Sequence, residues 1–520
     1  MAANRSRALT REESYRDGHL TRTAFVSIAI LTFITFVGNF TQLQLSAALP
    51  SIVAEYGINV TTGQWLTSVF QLVMGVMVPL TAFLTRRFST RQIVIASMVV
   101  FTFGSVCAWL APSFLVLLLG RMLEAVGTGV MWPVLQITVF SIFPLSRRGA
   151  AMGMVGIAMS VAPAIGPTLG GLQTDANGWR SIFLTLTLIG VASLVAACLW
   201  LRDFGRSDPS VRADFFSVAL SVFGFGGLMF GFTNIESYAF TDPMVWASML
   251  VGVGGIVWFV LRQLRRARAL RAWRECAASD GAGEPSGPAP AAPLLDLGVL
   301  RNRSFTVGTL VASLSFFAFS SILVIMPLYI QNDRGFSATM SGLIMLPGAI
   351  GQCVSQLFAG KALDRLGARP VAMFGAAVLT LGTLGMSLIG ADTWIWWVSI
   401  CQFTRQIGMG CLLMPITTWS LNCLEPEELS AGSAVTNTAR QVAGAMGAPL
   451  LVIVMETLTD SYEASGLSAT AANIMGVTWS LRISAALCGA MLLLVLFGVR
   501  GRGAGSSHDV ARRAVARLRR

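Results

Sequence analysis

Apolar runs of about 20 residues, each long enough to cross the hydrocarbon core of a bilayer, recur from near the start of the chain to its end. Glycine and proline inside such runs are compatible with membrane helices, because neighbouring helices can satisfy the freed backbone groups. The pattern predicts an all-α integral membrane protein with fourteen transmembrane helices. Their predicted bounds are 24–49, 62–84, 91–111, 114–138, 148–172, 179–201, 212–233, 243–263, 304–329, 339–361, 370–390, 393–416, 431–456 and 478–499.

The run at 148–172 differs from the others in its many small and helix-breaking residues. Small residues about one turn apart allow another helix to approach closely, and prolines kink the helix that carries them. This composition predicts a hinge or sliding contact rather than a lipid-facing anchor, although small-residue interfaces occur in any helical bundle. The residues that we assign to this gating interface are Gly156, Pro163, Gly166, Pro167, Gly170 and Gly171.

The composition agrees with the pattern of apolar runs. The 520 residues are 54% hydrophobic and only 12% charged, whereas ordinary soluble domains are about a quarter charged. The net charge of +12 lies mainly in short arginine clusters between the apolar runs. That arrangement is typical of cytoplasmic loops and not of a nucleic-acid surface. We therefore expect the lipid bilayer as a partner and no nucleic acid.

The distribution of arginine also predicts the orientation of the chain in the membrane. Basic residues concentrate in both tails and in every second connection, and acidic residues concentrate in the alternate connections. The positive-inside rule then places both termini in the cytoplasm, as an even number of spans requires. The connection at 424–429 is acidic although it should be cytoplasmic, but acidic residues contribute little to this rule. We expect a multi-pass protein of the cell (inner) membrane.

Nothing in the sequence indicates an enzyme. The eight cysteines have no CxxC spacing, the two histidines (His19 and His508) lie in the predicted tails, and no phosphate-binding loop is present. The sequence therefore predicts no metal site, no cofactor and no hydrolysis of ATP. Energy for any transport would come from an ion gradient or from a partner.

A few ionisable residues interrupt the apolar runs, where a charge is costly and usually functional. Arg121 and Glu124 are three residues apart in one predicted helix, so they share a face and can pair. Burial disfavours the charged form of a carboxyl group, whereas a nearby guanidinium favours it. A carboxylate that is subject to both effects could therefore exchange a proton. The alternative is a static pair that only orients helices. Glu456 and Glu236 are the second and third candidates for proton coupling, unless they are solvated helix-end residues.

Polar side chains within the predicted helices are candidates for lining a substrate cavity. Methionine and aromatic residues are abundant, with 23 Met, 31 Phe and 13 Trp, which suits a deformable pocket for varied apolar cargo. Most of these apolar residues must nevertheless face lipid or neighbouring helices. The polar cavity candidates are Asn39, Gln42, Gln44, Gln71, Gln136, Gln352, Gln356, Asn437, Arg440 and Gln441.

Related loops follow the second and the tenth predicted span. Residues 360–369 read GKALDRLGAR, and residues 82–91 read AFLTRRFSTR. A carboxylate and a guanidinium at a helix end favour a charge-assisted pair, although the arginines could instead only set the topology. The later loop closely resembles the GxxxDRxGxR loop of the major facilitator superfamily, and the earlier one lacks its aspartate. The resemblance implies a cytoplasmic latch formed by Arg87, Arg91, Gly360, Asp364, Arg365, Gly367 and Arg369.

Further stretches resemble the same superfamily. Residues 162–171 contain the GPxxGG signature of the fifth helix of its antiporters, and residues 120–129 resemble its RxxQGxG helix with glutamate in place of glutamine. Residues 437–444 are similar to the NTxRQ stretch of its fourteen-helix drug:proton antiporters, and residues 80–91 resemble the lincomycin-resistance type. The acidic residue that this branch carries in its first helix falls on Thr41.

The resemblance covers nearly the whole chain outside the tails and one linker, and it implies a major facilitator fold with two six-helix bundles and two inserted central helices. The expected organisation is a cytoplasmic N-terminal tail at 1–23, an N-terminal six-helix bundle at 24–201, the inserted helices 7 and 8 at 202–263, a basic and then Gly/Ala/Pro-rich cytoplasmic linker at 264–303, a C-terminal six-helix bundle at 304–499 and a basic cytoplasmic tail at 500–520.

The function implied by the resemblance is secondary active transport. We expect export of amphipathic drugs or other small molecules in exchange for protons by alternating access. An exporter dedicated to one endogenous metabolite would carry the same motifs, and a non-transporting membrane receptor or scaffold is a third alternative. The expected partners are a small-molecule substrate and protons. If the cell envelope has two membranes, a periplasmic adaptor protein is a further candidate partner.

Overall fold

The computed structural model is built almost entirely of helices. It describes residues 11–16, 19–45, 48–58, 60–204, 214–235, 242–279, 293 and 295–499. Two short strands, β1 (Tyr15–Arg16) and β2 (His19–Leu20), form an antiparallel pair in which Tyr15 is opposite Leu20. The chain divides into two compact units. Unit 1 comprises Met1–Ile142, Ile165–Arg301 and Pro426–Thr438, and unit 2 comprises Phe143–Ala164, Asn302–Glu425 and Ala439–Arg520.

Unit 1 contains the helices of the first part of the chain. They are α1 (Arg11–Ser14), α2 (Arg22–Gln44), α3 (Leu49–Tyr56), α4 (Val60–Arg87), α5 (Thr90–Trp109), α6 (Phe114–Gly129), α7 (Met131–Ile142), the second part of α8 (Arg148–Asn177), α9 (Arg180–Trp200), α10 (Phe215–Ile235) and α11 (Pro243–Ser279).

Unit 2 contains the first part of α8 and most of the later helices. They are α12 (Arg303–Leu328), α13 (Ala338–Leu366), α14 (Ala368–Met386), α15 (Ile395–Asn422), α16 (Leu429–Ala464), whose first residues belong to unit 1, and α17 (Ala469–Gly498). A π-helical turn, Tyr329–Asp333, extends α12.

Each predicted span overlaps a helix of the structure. Eleven helical segments in the described part of the chain are long and apolar enough to cross a membrane. The three predicted spans outside this set, 148–172, 212–233 and 393–416, lie in α8, α10 and α15. The sequence and the structure therefore agree on a multi-pass helical membrane protein, whereas the number of spans stays a prediction.

Several helix boundaries differ from the predicted pattern, and two of the differences change the predicted architecture. The span predicted at 114–138 is interrupted at Val130, between α6 and α7. Pro133 has no backbone N–H and cannot continue the hydrogen-bond ladder there. The helix predicted at 243–263 continues to Ser279, so the first part of the predicted linker at 264–303 is helical. The Gly/Ala/Pro-rich stretch of that linker lies largely outside the described residues.

The surface and the interior of the helices are both largely apolar. Large side chains such as Leu250, Phe358 and Phe497 are more than 60% exposed. An apolar surface of this kind suits contact with lipid rather than with water. Inside unit 1, Val69, Phe70 and Ala125 form an apolar cluster between α4 and α6. This cluster borders the buried charges described below.

Candidate functional site

A fully buried ion pair lies within unit 1. Arg121 and Glu124, both on α6, have no exposed side-chain area, and Arg121 Nη1 donates to Glu124 Oε2 at 2.7 Å. The two residues are three positions apart, which places them on one face of the helix. The structure thus brings together the two residues that the sequence selected first.

A neighbouring helix holds the other oxygen of the carboxylate. Ser105 Oγ on α5 donates to Glu124 Oε1 at 2.7 Å, and both residues are fully buried. This contact depends on a glycine, because a Cβ at Gly104 would lie 2.8 Å from the backbone nitrogen of Glu124. Gly104 therefore allows α5 to approach α6 backbone to backbone, which brings Ser105 to the carboxylate.

Three groups from α4 and α2 surround the guanidinium of Arg121. The ring of Phe70 lies 4.3 Å from the guanidinium carbon, a distance typical of a cation–π contact. The carbonyl oxygens of Leu66 and Thr41 accept longer hydrogen bonds from Arg121, both at 3.4 Å. At the position where the resemblance places an acidic residue, the chain thus offers the backbone carbonyl of Thr41 as an acceptor.

The donors around Glu124 define the hydrogen-bonded state of its carboxylate. In the observed state each oxygen of Glu124 accepts one donor, from Ser105 and from Arg121. If the carboxyl group took up a proton and released Arg121, Ser105 could still bond to it, since a hydroxyl group both donates and accepts. Arg121 Nη2 has no hydrogen-bond partner among the described residues, so the guanidinium keeps an unused donor in the observed state.

A second buried polar cluster in unit 1 joins two cavity candidates. Gln136 Oε1 on α7 accepts from Asn437 Nδ2 at 3.0 Å and from Ser433 Oγ at 2.6 Å, both on α16. All three side chains are at most 4% exposed. Gln136 Nε2 has no partner within the described part of the chain, so both N–H groups of this amide are available to a bound molecule.

Among the described residues, unit 2 contains three buried arginines, Arg148, Arg405 and Arg440. Arg405 on α15 is fully buried, and its Nη2 donates to the carbonyl oxygen of Ala318 on α12 at 2.7 Å. The described residues provide no carboxylate that pairs with Arg405. Arg440 on α16 lies against the ring of Phe316, 4.8 Å from its centroid. The fully buried guanidinium of Arg405 thus bonds to a backbone carbonyl, whereas that of Arg121 in unit 1 pairs with a carboxylate.

The first half of α8 packs closely on α13 within unit 2. Ser160 Oγ donates to Gln356 Oε1 at 3.1 Å. A Cβ at Gly156 would lie 2.6 Å from the same oxygen, and a Cβ at Gly153 would lie 2.8 Å from the carbonyl oxygen of Gln356. The glycines therefore permit a contact that larger residues would block.

The second half of α8 packs on α2 within unit 1. A Cβ at Gly170 would collide with the carbonyl oxygen of Gln44, whose side chain donates to Gln173. Gly166 is buried and Gly171 is half-buried. The side chains of Pro163 and Pro167 lie outside the described residues.

Asp364 binds a helix terminus and makes no ion pair with Arg365 in the described part of the chain. Its carboxylate accepts the backbone N–H groups of Gly149 and Ala150, at 2.9 and 2.8 Å, in the first turn of α8. The positive end of a helix dipole favours a carboxylate at this position. The charge-assisted pair expected from the sequence is thus replaced by a cap on α8. Gly360 allows the approach, since a Cβ there would collide with the carbonyl oxygen of Gly149.

The other residues of the predicted latch are dispersed. Within unit 1, Arg91 Nη2 donates to the carbonyl oxygen of Cys198 at 2.6 Å, and Arg87 lies beside the ring of Phe88. Within unit 2, Arg369 bonds to a carbonyl oxygen of α17. Arg365 is exposed, and Gly367 joins α13 to α14 with a positive φ of 87° that favours glycine.

The remaining candidates differ in their exposure. The side chains of Gln71 and Glu456 are exposed, and Glu236 lies outside the described residues. The half-buried cavity candidates are Asn39, Gln42, Gln352 and Gln441.

Sequence reasoning missed the hydroxyl groups that complete each cluster. Ser105, Ser160 and Ser433 each bond to a predicted residue on another helix. Serine is common at contacts between membrane helices, so the residue type alone did not single them out. Only the pairing of helices identifies them.

Comparisons with known proteins agree with this architecture. The sequence model of the family described as Major Facilitator Superfamily matches residues 28–448. YcnB of Bacillus subtilis (strain 168), an uncharacterized MFS-type transporter, is 34% identical over 471 residues, which cover 91% of this chain and 94% of that protein. Lincomycin resistance protein LmrB of Listeria innocua serovar 6a is 30% identical over 438 residues, or 84% of this chain and 87% of LmrB.

A solved structure has the same fold. The crystal structure of the human organic anion transporter MFSD10 (TETRAN) superposes with a TM-score of 0.62 at 13% sequence identity, over 91% of this chain and 99% of that one. The family match extends over most of the chain, and YcnB is described as a transporter of this type. The chain therefore belongs to the major facilitator superfamily of membrane transporters.

Proposed function

We propose that this transporter exports amphipathic drugs or other small molecules in exchange for protons by alternating access. The observation that carries the proposal is the fully buried pair of Arg121 and Glu124 with its Ser105 partner. A buried carboxylate with two alternative hydrogen-bonded states is suited to take up and release a proton during a transport cycle. The similarity to LmrB, whose name records lincomycin resistance, supports drugs as substrates.

The proposed mechanism is competition between a proton on Glu124 and the substrate. Substrate binding would favour the ion pair with Arg121 and release the proton, and protonation from the opposite side would favour substrate release. Gln136 and Asn437 would contact the substrate, while Arg440 and Gln356 would line the pathway within unit 2. The glycines of α8 would permit the helix movements that change access.

The arrangement in the membrane is part of the proposal. We infer fourteen spans, with two six-helix bundles (24–201 and 304–499), α10 and α11 as the inserted pair, and both termini in the cytoplasm. The fourteen apolar runs, each overlapping a helix, and the arginine-rich connections support this topology. An adaptor protein would be required only in an envelope with two membranes.

The proposal is tested by efflux of a cationic dye from energised membrane vesicles, with and without a protonophore. We expect export that collapses when the proton gradient is dissipated. Glu124→Gln should abolish gradient-driven export while the protein remains inserted, because the amide cannot carry the proton. Glu456→Gln makes the same chemical change at an exposed site of α16 and should retain export.

The outcomes of this efflux assay distinguish between the alternative functions. Unchanged pH-dependent export by Glu124→Gln would remove this residue from the mechanism. The absence of dye transport under any gradient would favour an exporter dedicated to one endogenous metabolite. A non-transporting receptor or scaffold has little support, since the relatives compared above are transporters.

A further inference from the structure

A cavity lies on α11 at the point where its apolar residues give way to arginines. Its volume is about 370 Å³, and it is lined by Trp258, Leu261, Arg262, Arg265 and Arg266. Tryptophan and arginine are enriched where the hydrocarbon core meets the lipid headgroups, because each has an apolar and a polar part. The lining therefore matches the boundary between these two environments.

One carboxylate holds two of these arginines in place. Arg266 Nη1 lies 2.6 Å from Asp214 Oδ2, and Arg262 Nη2 lies 3.3 Å from Asp214 Oδ1. The Asp214 side chain is only 8% exposed, and it also accepts a hydrogen bond from Ser217. Both arginine side chains are thus ordered before any ligand arrives, which lowers the entropic cost of binding.

The charge of the cavity is not balanced by this aspartate. Arg265 is exposed and forms no ion pair with any described residue. Three guanidinium groups against the single Asp214 carboxylate leave a net charge of +2. Guanidinium groups bind phosphate oxygens in a fixed, often bidentate geometry. The cavity is therefore complementary to an anionic phosphate group.

Aromatic rings form the apolar side of the cavity. The guanidinium of Arg262 lies 4.7 Å from the ring centroid of Phe216. Phe216 in turn packs edge-on against Trp258, with centroids 5.5 Å apart. Trp258 is 57% exposed, so its ring is available to a molecule at the membrane interface.

An exposed apolar stripe continues from the cavity along α11. Leu250, Val253, Val257 and Leu261 are each at least 50% exposed. They are spaced three or four residues apart, which places them on one face of the helix. A ligand that binds the arginines with a phosphate can therefore extend apolar chains along this stripe.

We infer that this cavity binds the headgroup of an anionic phospholipid, whose acyl chains lie along the exposed face of α11. Charge complementarity identifies the headgroup, and the adjoining apolar stripe selects a membrane lipid over free phosphate. The inference concerns a site on α10 and α11 and does not depend on the proposed export function.

Native mass spectrometry of the purified full-length protein tests this site. The protein is equilibrated with equal amounts of phosphatidylglycerol and phosphatidylcholine, and the retained lipids are counted. We expect preferential retention of phosphatidylglycerol. Arg265→Gln should lower this retention about tenfold, the effect expected when one hydrogen bond between a guanidinium and a bound phosphate is lost. Arg265 is exposed, so its substitution should not disturb folding.

Arg268→Gln is the matched control, because Arg268 is also exposed on α11 but does not line the cavity. It should change retention less than Arg265→Gln, since only its long-range attraction to the headgroup is lost and no contact with the phosphate. Equal retention of both lipids, or equal effects of the two substitutions, would overturn the assignment. Displacement of phosphatidylglycerol by inorganic phosphate alone would also overturn it, since the site would then bind the anion without the lipid chains.

Discussion

Two fully buried arginines, one in each unit, are held in different ways. Arg121 on α6 pairs with the Glu124 carboxylate at 2.7 Å, whereas Arg405 on α15 donates at the same distance to the backbone carbonyl of Ala318. Each arginine also reaches the first long helix of its half of the chain, through Thr41 on α2 and through Ala318 on α12. The two sites therefore share the cation and differ in the carboxylate.

This difference determines which of the two sites can change its charge by binding a proton. A guanidinium stays protonated under any physiological condition, so Arg405, which has no paired carboxylate among the described residues, keeps a fixed charge. A site that also contains Glu124 can change its charge by one proton. We therefore expect the first site to couple to the proton gradient and the second to anchor helices.

The largest expected effect is the loss of one partner of the buried pair. Arg121→Met leaves the Glu124 carboxylate buried without its counter-charge, which should cost about 3–5 kcal/mol of stability. Arg405→Met removes a cation that has no paired carboxylate among the described residues, so it should cost only about 1.5–3 kcal/mol, for the lost hydrogen bond from the guanidinium to the Ala318 carbonyl. Thermal unfolding of the purified variants measures both changes.

A double variant is the control for this prediction. Arg121→Met combined with Glu124→Gln should recover part of the lost stability, because no charge is left buried alone. Equal losses of stability in Arg121→Met and Arg405→Met would show that the Glu124 carboxylate does not make the first site energetically different from the second.

A smaller effect is expected at the glycines beside each arginine site. A Cβ at Gly104 would lie 2.8 Å from the Glu124 backbone nitrogen, and a Cβ at Gly382 would lie 2.6 Å from the Arg405 backbone nitrogen. Alanine at either position should destabilise the protein by about 1–3 kcal/mol, because the helices must move apart. Only Gly104→Ala should also impair proton-coupled export, since it displaces Ser105 from Glu124.

Gly489→Ala is the matched control for the glycine variants, because a Cβ at Gly489 would meet no atom within 4 Å. It should leave both stability and export unchanged. Equal impairment of export by Gly104→Ala and Gly382→Ala would mean that helix packing, rather than the carboxylate, limits transport.

The smallest effect is expected at an exposed ion pair in unit 1, which contrasts with the buried one. Hydrogen bonds from Arg180, and then from Trp179, lower the pKa of Glu55 below its ordinary value of 4.5. Such a pair stabilises the folded protein above the ordinary pKa, and the contribution is lost as the pH falls through the lowered pKa. Both side chains of the ion pair are about 40% exposed, so the contribution is small.

We expect Glu55→Gln to lower the melting temperature by about 1 °C at neutral pH. The difference between the wild type and the variant should shrink as the pH falls below 4.5. A difference that grows on acidification would contradict the lowered pKa.

The sequence predicted a multi-pass helical membrane fold and the buried pair of Arg121 and Glu124, because both depend on local spacing. Apolar length identifies membrane helices, and the i,i+3 spacing of Arg121 and Glu124 predicts that they share a face. The break at Val130 and the helical extension of α11 to Ser279 were not predicted, since composition does not locate helix boundaries within a run or show where a basic stretch stays helical.

Contacts between helices could not be predicted from local spacing. Gln71 and Gln136 both interrupt apolar runs, but the first is exposed and the second is buried against α16. The sequence also identified Asp364 through its motif, whereas its bonds to the first turn of α8 depend on residues more than 200 positions away. The burial of Gln136 and the hydrogen bonds of Asp364 both depend on which helices contact each other in the folded protein.

The most direct test of the proposed competition is proton release by the purified protein. A substrate identified in the vesicle assay is added to the protein in weakly buffered detergent solution, and a pH indicator reports released protons. We predict release from the wild type and none from Glu124→Gln, although the variant still binds the substrate. Equal proton release from both proteins would contradict the central role of Glu124.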